Sequence, residues 1–153
     1  MIFHFMNKIK DESFGVVPVI NIDGNILFCV VYSKKNAHWG FPKGHKDTDE
    51  SDQEASLREL KEETGINDIY LIDNVCFTEE FSFEKRGLLC EKTVKYFIGV
   101  AKSTENLTPQ DFKEEISQIK WVDYLEAQKL IIFPERKVVL EQVNSYIINN
   151  LNI

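Results

Sequence analysis

Three glutamates, Glu59, Glu62 and Glu63, fall on one face of any helix that residues 51–64 form. Residues at positions i, i+3 and i+4 of an α-helix share a face, and like charges at that spacing repel by roughly 0.2–0.5 kcal/mol per pair. A cation placed among the carboxylates explains the arrangement best. Hard oxygen ligands favour Mg²⁺, with Mn²⁺ as a substitute, and such ions leave coordination positions for water and phosphate oxygens.

Local signals predict that this segment is a helix. Ser51 and Glu54 have the spacing of a capping box, Asp52 places negative charge in the first turn, and Gly65 stands where a helix ends. The helix should therefore start near residue 51 and end near residue 64. An apolar stripe for packing against a sheet is supplied by Ala55, Leu57, Leu60 and Thr64.

The same segment resembles the Nudix box. That pattern is Gly, five residues, Glu, seven residues, Arg-Glu, an apolar residue, any residue, Glu-Glu, any residue, Gly and an apolar residue. Every specified position is matched, by Gly44, Glu50, Arg58, Glu59, Leu60, Glu62, Glu63, Gly65 and Ile66. The resemblance implies a hydrolase of nucleoside diphosphates linked to another moiety, with the Nudix fold.

The resemblance also implies roles for these residues. Glu59, Glu62 and Glu63 are expected to bind the metal ions, the carbonyl of Gly44 to add a ligand, and Arg58 to hold a carboxylate in place. Glu50 is expected to support the helix N-terminus or a metal-bound water. Two glutamates, Glu59 and Glu115, are alternatives for the general base.

Residues outside the box narrow the resemblance. Trp39-Gly40-Phe41-Pro42-Lys43-Gly44-His45 is similar to the Trp-x-x-Pro-Lys-Gly-His segment of asymmetrical dinucleoside tetraphosphate hydrolases. RNA 5′-pyrophosphohydrolases have a related Trp-x-Phe-Pro-x-Gly segment, so Phe41 leaves that branch open. Downstream, the run 92–97, with Glu115 before Trp121, also looks like the tetraphosphatase pattern.

Candidate substrate contacts follow from this likeness. Lys43, His45 and Lys92 are expected to contact phosphates, since a lysine offers a point charge to an anion. Phe83 occupies a position where the family has a tyrosine that stacks on adenine, and a phenyl face retains that stacking ability. Tyr96 is either a second stacking residue or a core residue, because strand alternation does not reveal which face is wet.

Composition limits the class of protein. The chain has 153 residues, and its net charge of −7 argues against binding duplex nucleic acid, which normally requires a basic face. Residues 1–153 are predicted to form a single domain, either a monomer or a homodimer. Three cysteines without a Cys-x-x-Cys motif indicate the reducing cytoplasm, and neither an export signal nor a membrane span is apparent.

The remaining pattern predicts an α/β (α+β) fold, an α/β/α sandwich with a mixed β-sheet between helices. A hairpin at Asp23-Gly24-Asn25 joins the first two strands, and Pro134 opens a C-terminal helix that reaches about Ile148 before fraying from Asn149. A helical turn is expected from Leu125. The expected strands cover residues 14–22, 26–33, 69–77, 79–84, 93–101 and 120–123.

These features favour metal-dependent hydrolysis of a phosphoanhydride bond in a nucleoside polyphosphate. The leading hypothesis is cleavage of diadenosine tetraphosphate to ATP and AMP. The second is removal of pyrophosphate from RNA 5′ ends, or hydrolysis of another nucleoside diphosphate derivative. A third, from a different class, is a nucleotide-sensing binding module, and the intact Arg58, Glu59, Glu62 and Glu63 speak against it.

Overall fold

The computed structural model describes residues 7–105, 107, 108, 115–150 and 153. Its helices are α1 (Asp52–Thr64), α2 (Tyr124–Leu130) and α3 (Pro134–Asn150). Its strands are β1 (Lys8–Ile22), β2 (Asn25–Ser33), β3 (His38–Gly40), β4 (Lys43–Gly44), β5 (Ile69–Leu71), β6 (Phe77–Lys85), β7 (Leu88–Ala101) and β8 (Ile116–Asp123).

One mixed sheet organises the chain. β1 and β7 run parallel through its centre, and the other pairings among the described strands are antiparallel: β2 with β1, β3 and β8, β7 with β5 and β6, and β4 with β1. Strand alternation turns Val17 and Val19 toward α2 and α3, whereas Val16 faces α1 with Leu60. Both faces are covered, which confirms the predicted α/β/α sandwich and explains the nearly continuous apolar run of β1.

Two short hairpins set the register of the sheet. Asp23 and Gly24 both have positive φ, at 51° and 91°, so β1 and β2 join through the two-residue turn that matches strand twist. Arg86 and Gly87 form the same kind of turn between β6 and β7, with φ of 54° and 75°. The predicted hairpin at 23–25 is confirmed.

Several predicted boundaries were wrong. The strand expected over 69–77 ends at Leu71, because the chain turns at Asp73-Asn74 with Asn74 at φ 61°, and Phe77 already begins β6. The strands expected at 93 and 120 begin earlier, at Leu88 and Ile116, because tertiary pairing extends them. α3 includes Asn149 and Asn150, against the expected fraying from Asn149.

The predicted boundaries of α1 are confirmed. Ser51 is the N-cap and forms a capping box with Glu54, and Gly65 ends the helix in the left-handed conformation at φ 80°. No helix among the described residues has the length and apolar content that crossing a membrane requires.

The first turn of α1 carries a testable ionic contact. Asp52 pairs with Lys46 and, at 3.0 Å, with Lys95 Nζ. The hydrogen bond from Lys46, followed by that from Lys95, holds the pKa of Asp52 below its ordinary value. Because the pKa of Asp52 is lower in the folded than in the unfolded protein, its ionic contacts stabilise the fold fully above the unfolded-state pKa. This stabilisation is lost as the pH falls through the folded-state pKa.

We therefore predict that Asp52→Asn lowers the free energy of unfolding at pH 7 by about 1 kcal/mol. The difference should shrink as the pH falls below 3.8, the ordinary pKa of an aspartate, and disappear once the pH lies below the lowered folded-state pKa, where the wild-type carboxylate is protonated. Urea unfolding at several pH values measures it. Asp68→Asn, which removes a largely exposed pair with Lys102, is the matched control and should have a smaller effect. A pH-independent loss in Asp52→Asn would contradict the ionic explanation.

Candidate active site

Arg58 connects the carboxylates at the start and middle of α1. Its Nε and Nη2 donate to the two carboxylate oxygens of Glu50 at 2.7 and 2.9 Å, and Nη1 donates to Glu59 at 2.9 Å and to Glu62 at 3.3 Å. Nη2 also donates to the backbone carbonyl of His45 at 2.8 Å. Paired chiefly with Glu50, the Arg58 guanidinium has a raised pKa, and in turn it lowers the pKa of Glu50. One cation thus offsets the repulsion among three carboxylates.

Gly44 lies directly against the Glu59 carboxylate. A Cβ at position 44 would stand 2.1 Å from the carboxyl carbon of Glu59 and 2.3 Å from both carboxylate oxygens. β4 is held in this place by pairing with β1, where Phe14 is opposite Gly44. Glycine is therefore required here for close approach, and its backbone comes within reach of whatever the Glu59 oxygens bind.

Glu63 is the buried member of the carboxylate group. It is 8% exposed, and its Oε2 accepts a hydrogen bond from the backbone amide of Lys43 at 3.1 Å. Burial first, with the nearby charges of Glu59 and Glu115, raises the pKa of Glu63 to about 8. A desolvated carboxylate beside two others is an environment that a bound cation would stabilise.

The donor set fits a hard divalent cation. Glu59, Glu62 and Glu63 occupy neighbouring positions on one helix face, so side-chain rotation can direct their oxygens to a common point beside Gly44. Within the described residues, no three acidic, histidine or cysteine side chains already converge as a metal-binding group. Arg58 holds Glu59 and Glu62, and the Lys43 amide holds Glu63. The assignment of these glutamates and Gly44 as ligands stays a prediction.

A cleft opens beside the C-terminal half of this helix face. The structure brings Lys43, Glu63 and Glu115 together along its wall, although Glu115 is 52 positions beyond Glu63 in the chain. His38 and Arg136 also line the cleft. Burial lowers the pKa of Lys43, and the positive charges of Arg136 and Lys92 lower it further. Several cations therefore surround one end of the cleft, as an anionic ligand requires.

Aromatic rings continue from this cleft along β6 and the start of α3. The Phe83 ring stacks on Phe81 at 6.1 Å, Phe81 meets Phe133 edge-on at 5.1 Å, and Phe133 stacks on the His38 imidazole at 6.3 Å. We call Phe83, Phe81, Phe133 and His38 the aromatic row. Phe83 is 42% exposed, so its face is open to a planar ligand.

The structure does not support Tyr96 as a stacking residue. Its side chain is fully buried, because Val94, Tyr96 and Ile98 alternate onto the face of β7 that packs under α3. The Tyr96 hydroxyl donates to Glu79 Oε1 at 3.1 Å, and burial raises the tyrosine's pKa. Of the two alternatives left by the sequence, Tyr96 is a core residue.

Two of the predicted phosphate contacts meet at one aspartate. Lys92 is 9% exposed and places its Nζ 3.0 Å from Asp11 and 2.7 Å from the Ser13 hydroxyl. His45 Nε2 lies 2.7 Å from the other Asp11 oxygen. Their contact with a substrate phosphate stays a prediction, and it would require exchange of these partners.

Sequence reasoning missed Phe81, Phe133, His38 and Arg136. Phe81 could have been found from Phe83, since residues two apart on a strand share a face. Arg136 also left a signal, because it precedes the buried Val139, Leu140 and Val143 at helical spacing, where a charge is unusual. Phe133 and His38 carried no comparable signal.

Comparison with known proteins agrees with this geometry. Residues 10–143 match the NUDIX domain family. The chain therefore belongs to the Nudix hydrolase family, whose members generally use divalent metal ions.

Particular relatives refine the comparison. The chain is 34% identical over 110 residues to the asymmetrical bis(5′-nucleosyl)-tetraphosphatase of Rattus norvegicus, covering 72% of each protein. It is 28% identical over 154 residues to an RNA pyrophosphohydrolase of Bartonella henselae, covering 88% of each. A crystal structure of a C. elegans Ap4A hydrolase binary complex superposes with a TM-score of 0.77 at 24% identity, over 90% of this chain and 98% of that one. This last likeness concerns the fold.

The close contact at Gly44 gives a prediction for the candidate active site. Gly44→Ala should reduce turnover by about 10- to 100-fold, because the new methyl group displaces the Glu59 carboxylate. The metal-free thermal midpoint should change little, since the displaced atoms are the end of a flexible side chain. Steady-state kinetics and thermal unfolding in chelator measure the two effects.

The double variant Gly44→Ala/Glu59→Asp is the matched test, because the shorter carboxylate leaves room for the methyl group. Its turnover should be higher than the value expected if the losses caused by Gly44→Ala and by Glu59→Asp simply combined. Wild-type turnover in Gly44→Ala would show that the close approach has no catalytic importance.

Proposed function

We propose that this protein hydrolyses a phosphoanhydride bond of a nucleoside polyphosphate in a magnesium-dependent reaction, with diadenosine tetraphosphate cleaved asymmetrically to ATP and AMP. One observation carries the proposal: Glu63 of the carboxylate face, Lys43 and His38 line the same cleft, and His38 is the first ring of the aromatic row that continues to Phe133 and Phe81. Carboxylates, a lysine and aromatic rings in this order fit a ligand that has both a polyphosphate and a base.

The carboxylate end is suited to phosphoryl transfer. Glu59, Glu62 and Glu63 would hold the divalent cation, which when bound stabilises charge on the phosphoryl group and activates the attacking water. Arg58 keeps Glu59 and Glu62 oriented through its hydrogen bonds. Glu59 and Glu115 are the two alternatives proposed for the general base. The pH-rate profiles of Glu59→Gln and Glu115→Gln would show which of them has this role.

Charge favours a polyphosphate at the middle of the cleft. Lys43 lies on the cleft wall, and its pKa is lowered first by burial and then by the positive charges of Arg136 and Lys92. A bound polyphosphate would relieve this repulsion among the three cations. His45, on the exposed side of Lys43 and Gly44, is proposed as a further contact after release from Asp11.

The aromatic row favours a base at the other end. Phe83 presents an exposed ring, and stacking of a base on an aromatic side chain contributes roughly 1–3 kcal/mol. The rat relative, at 34% identity, is named for tetraphosphatase activity on dinucleosides. These two observations favour a dinucleoside polyphosphate over a simpler nucleotide.

An RNA 5′ end is the second candidate substrate. The Bartonella henselae relative named an RNA pyrophosphohydrolase aligns over 88% of the chain. Against it, the net charge of −7 gives little attraction for an extended phosphate backbone. Triphosphorylated RNA therefore belongs in the same assay as the dinucleotide.

We predict that the purified protein forms ATP and AMP from diadenosine tetraphosphate only when Mg²⁺ is present. Glu62→Gln should lose nearly all turnover while it keeps its fold, because the Glu62 side chain is already 37% exposed. Chromatography of the products and thermal unfolding with and without Mg²⁺ measure both effects, and Mg²⁺ should raise the midpoint of the wild type only. Glu141→Gln, on an exposed face of α3, is the control.

Three outcomes would change the proposal. Turnover confined to triphosphorylated RNA would favour the second candidate. Full activity in Glu62→Gln would contradict the carboxylate assignment. Nucleotide binding without hydrolysis of any substrate would favour a sensing module.

The base-stacking assignment makes a separate prediction. Phe83→Ala should raise the KM for diadenosine tetraphosphate about tenfold, through lost stacking, and leave stability nearly unchanged because the ring is exposed. Steady-state kinetics measures the change. Tyr70→Ala removes another exposed aromatic ring, on β5, and serves as the matched control. An unchanged KM in Phe83→Ala would show that this ring does not contact the base.

A further inference from the structure

A buried ion pair lies beneath the aromatic row. Arg136, in the first turn of α3, is only 4% exposed, and its Nη2 donates to Glu79 Oε1 at 3.1 Å. Glu79 on β6 is 1% exposed, and the same oxygen accepts the hydroxyl of the buried Tyr96 at 3.1 Å. Three polar side chains thus form one network within the apolar layer under α3.

Stability does not explain this network. Removing a guanidinium and a carboxylate from water is costly unless every hydrogen-bonding atom finds a partner. In the described part of the chain, Arg136 Nε and Glu79 Oε2 are buried without one. Proteins in which apolar residues of similar volume replace such a pair are often at least as stable. The other contacts of Arg136 therefore indicate what the pair does.

The other side of the guanidinium faces the cleft. Arg136 Nη1 lies 3.3 Å from His38 Nδ1, and Arg136 Cζ stands 5.2 Å from the centre of the Phe133 ring. Gly40 permits this approach, because a Cβ there would be 2.9 Å from Arg136 Nη1. Arg136 therefore touches both rings at the cleft end of the aromatic row.

The contact with His38 selects one form of the imidazole. A guanidinium has only donors, so a hydrogen bond at this contact needs His38 Nδ1 as the acceptor and places the ring proton on Nε2. Burial, followed by the charge of Arg136, lowers the pKa of His38, which agrees with a neutral ring. The imidazole is also parallel to Phe133, with 14° between the ring planes.

We propose that Arg136 is a positioning residue: anchored by Glu79 and Tyr96, it holds His38 as the Nε2–H tautomer and fixes His38 against Phe133 at the nucleotide end of the cleft. The His38 Nε2–H is then a preoriented hydrogen-bond donor for the nucleotide, and Phe133 is a fixed apolar surface beside it. The assignment of a nucleotide to this end rests on the proposed function.

The first test needs no substrate. Nitrogen-15 NMR of histidine-labelled protein distinguishes the two imidazole tautomers, and His38→Asn identifies the His38 signals among the three histidines. The wild type should show His38 neutral and protonated on Nε2 at pH 7. Arg136→Met should change the His38 tautomer distribution, whereas Lys129→Met, which removes an exposed cation from α2, should not.

The second test uses kinetics with diadenosine tetraphosphate and Mg²⁺. Arg136→Lys keeps the charge but not the planar fork that contacts Glu79 and His38 together, so KM should rise about tenfold while kcat changes less than about threefold. Phe133→Leu should also raise KM. In the double variant Arg136→Lys/Phe133→Leu, KM should rise by less than the product of the two single increases, because both changes disturb the same surface.

These measurements separate the two proposals. A wild-type His38 protonated on Nδ1, or a tautomer unchanged in Arg136→Met, would overturn the positioning role even if the enzyme is fully active. Wild-type KM in a folded Arg136→Lys would also overturn it. Absence of dinucleotide turnover in the wild type would refute the proposed substrate, while the NMR result would still decide how Arg136 acts on His38. Thermal unfolding of each variant shows that it is folded, and Arg136→Lys retains a cation for Glu79 where Arg136→Met does not.

Discussion

The guanidinium of Arg58 is the contact on which the candidate active site depends. Without it, Glu50 before the helix and Glu59 and Glu62 in its second half would be three negative charges close together with no cation between them. With it, the carboxylates are held at hydrogen-bond distance from a single cation, and the loop before the helix is tied to the same group through the His45 carbonyl. The helix can therefore concentrate acidic side chains without losing its start or its packing against β1.

The segment from β3 to β4 connects the two ends of the cleft. At one end Gly44 approaches the Glu59 carboxylate and Lys43 donates its amide to Glu63. At the other end Gly40 gives space to Arg136. Two glycines four residues apart thus admit side chains from α1 and α3, which lie on opposite faces of the sheet. This arrangement brings Glu63 of the carboxylate face and His38 of the aromatic row to one cleft.

Part of the fold was predictable because its causes are local. Capping by Ser51 and Glu54, termination at Gly65 and the turn at Asp23-Gly24 each involve residues within four positions of one another. Strand ends were less predictable. β7 starts at Leu88 because it pairs with β1 and β6 along its length, and the run after Leu71 leaves the sheet because of the turn at Asn74.

By itself the sequence determined the carboxylate face of α1, the glycine that must lie beside it and the family to which the chain belongs, since all three depend on spacing along one short segment. Only the tertiary structure decided which rings face the ligand. Phe83 is exposed and Tyr96 is buried because of how β6 and β7 lie under α3, which alternation alone could not specify. The pairing of Arg136 with Glu79 joins residues 57 positions apart, so it exists only once α3 has packed onto the sheet.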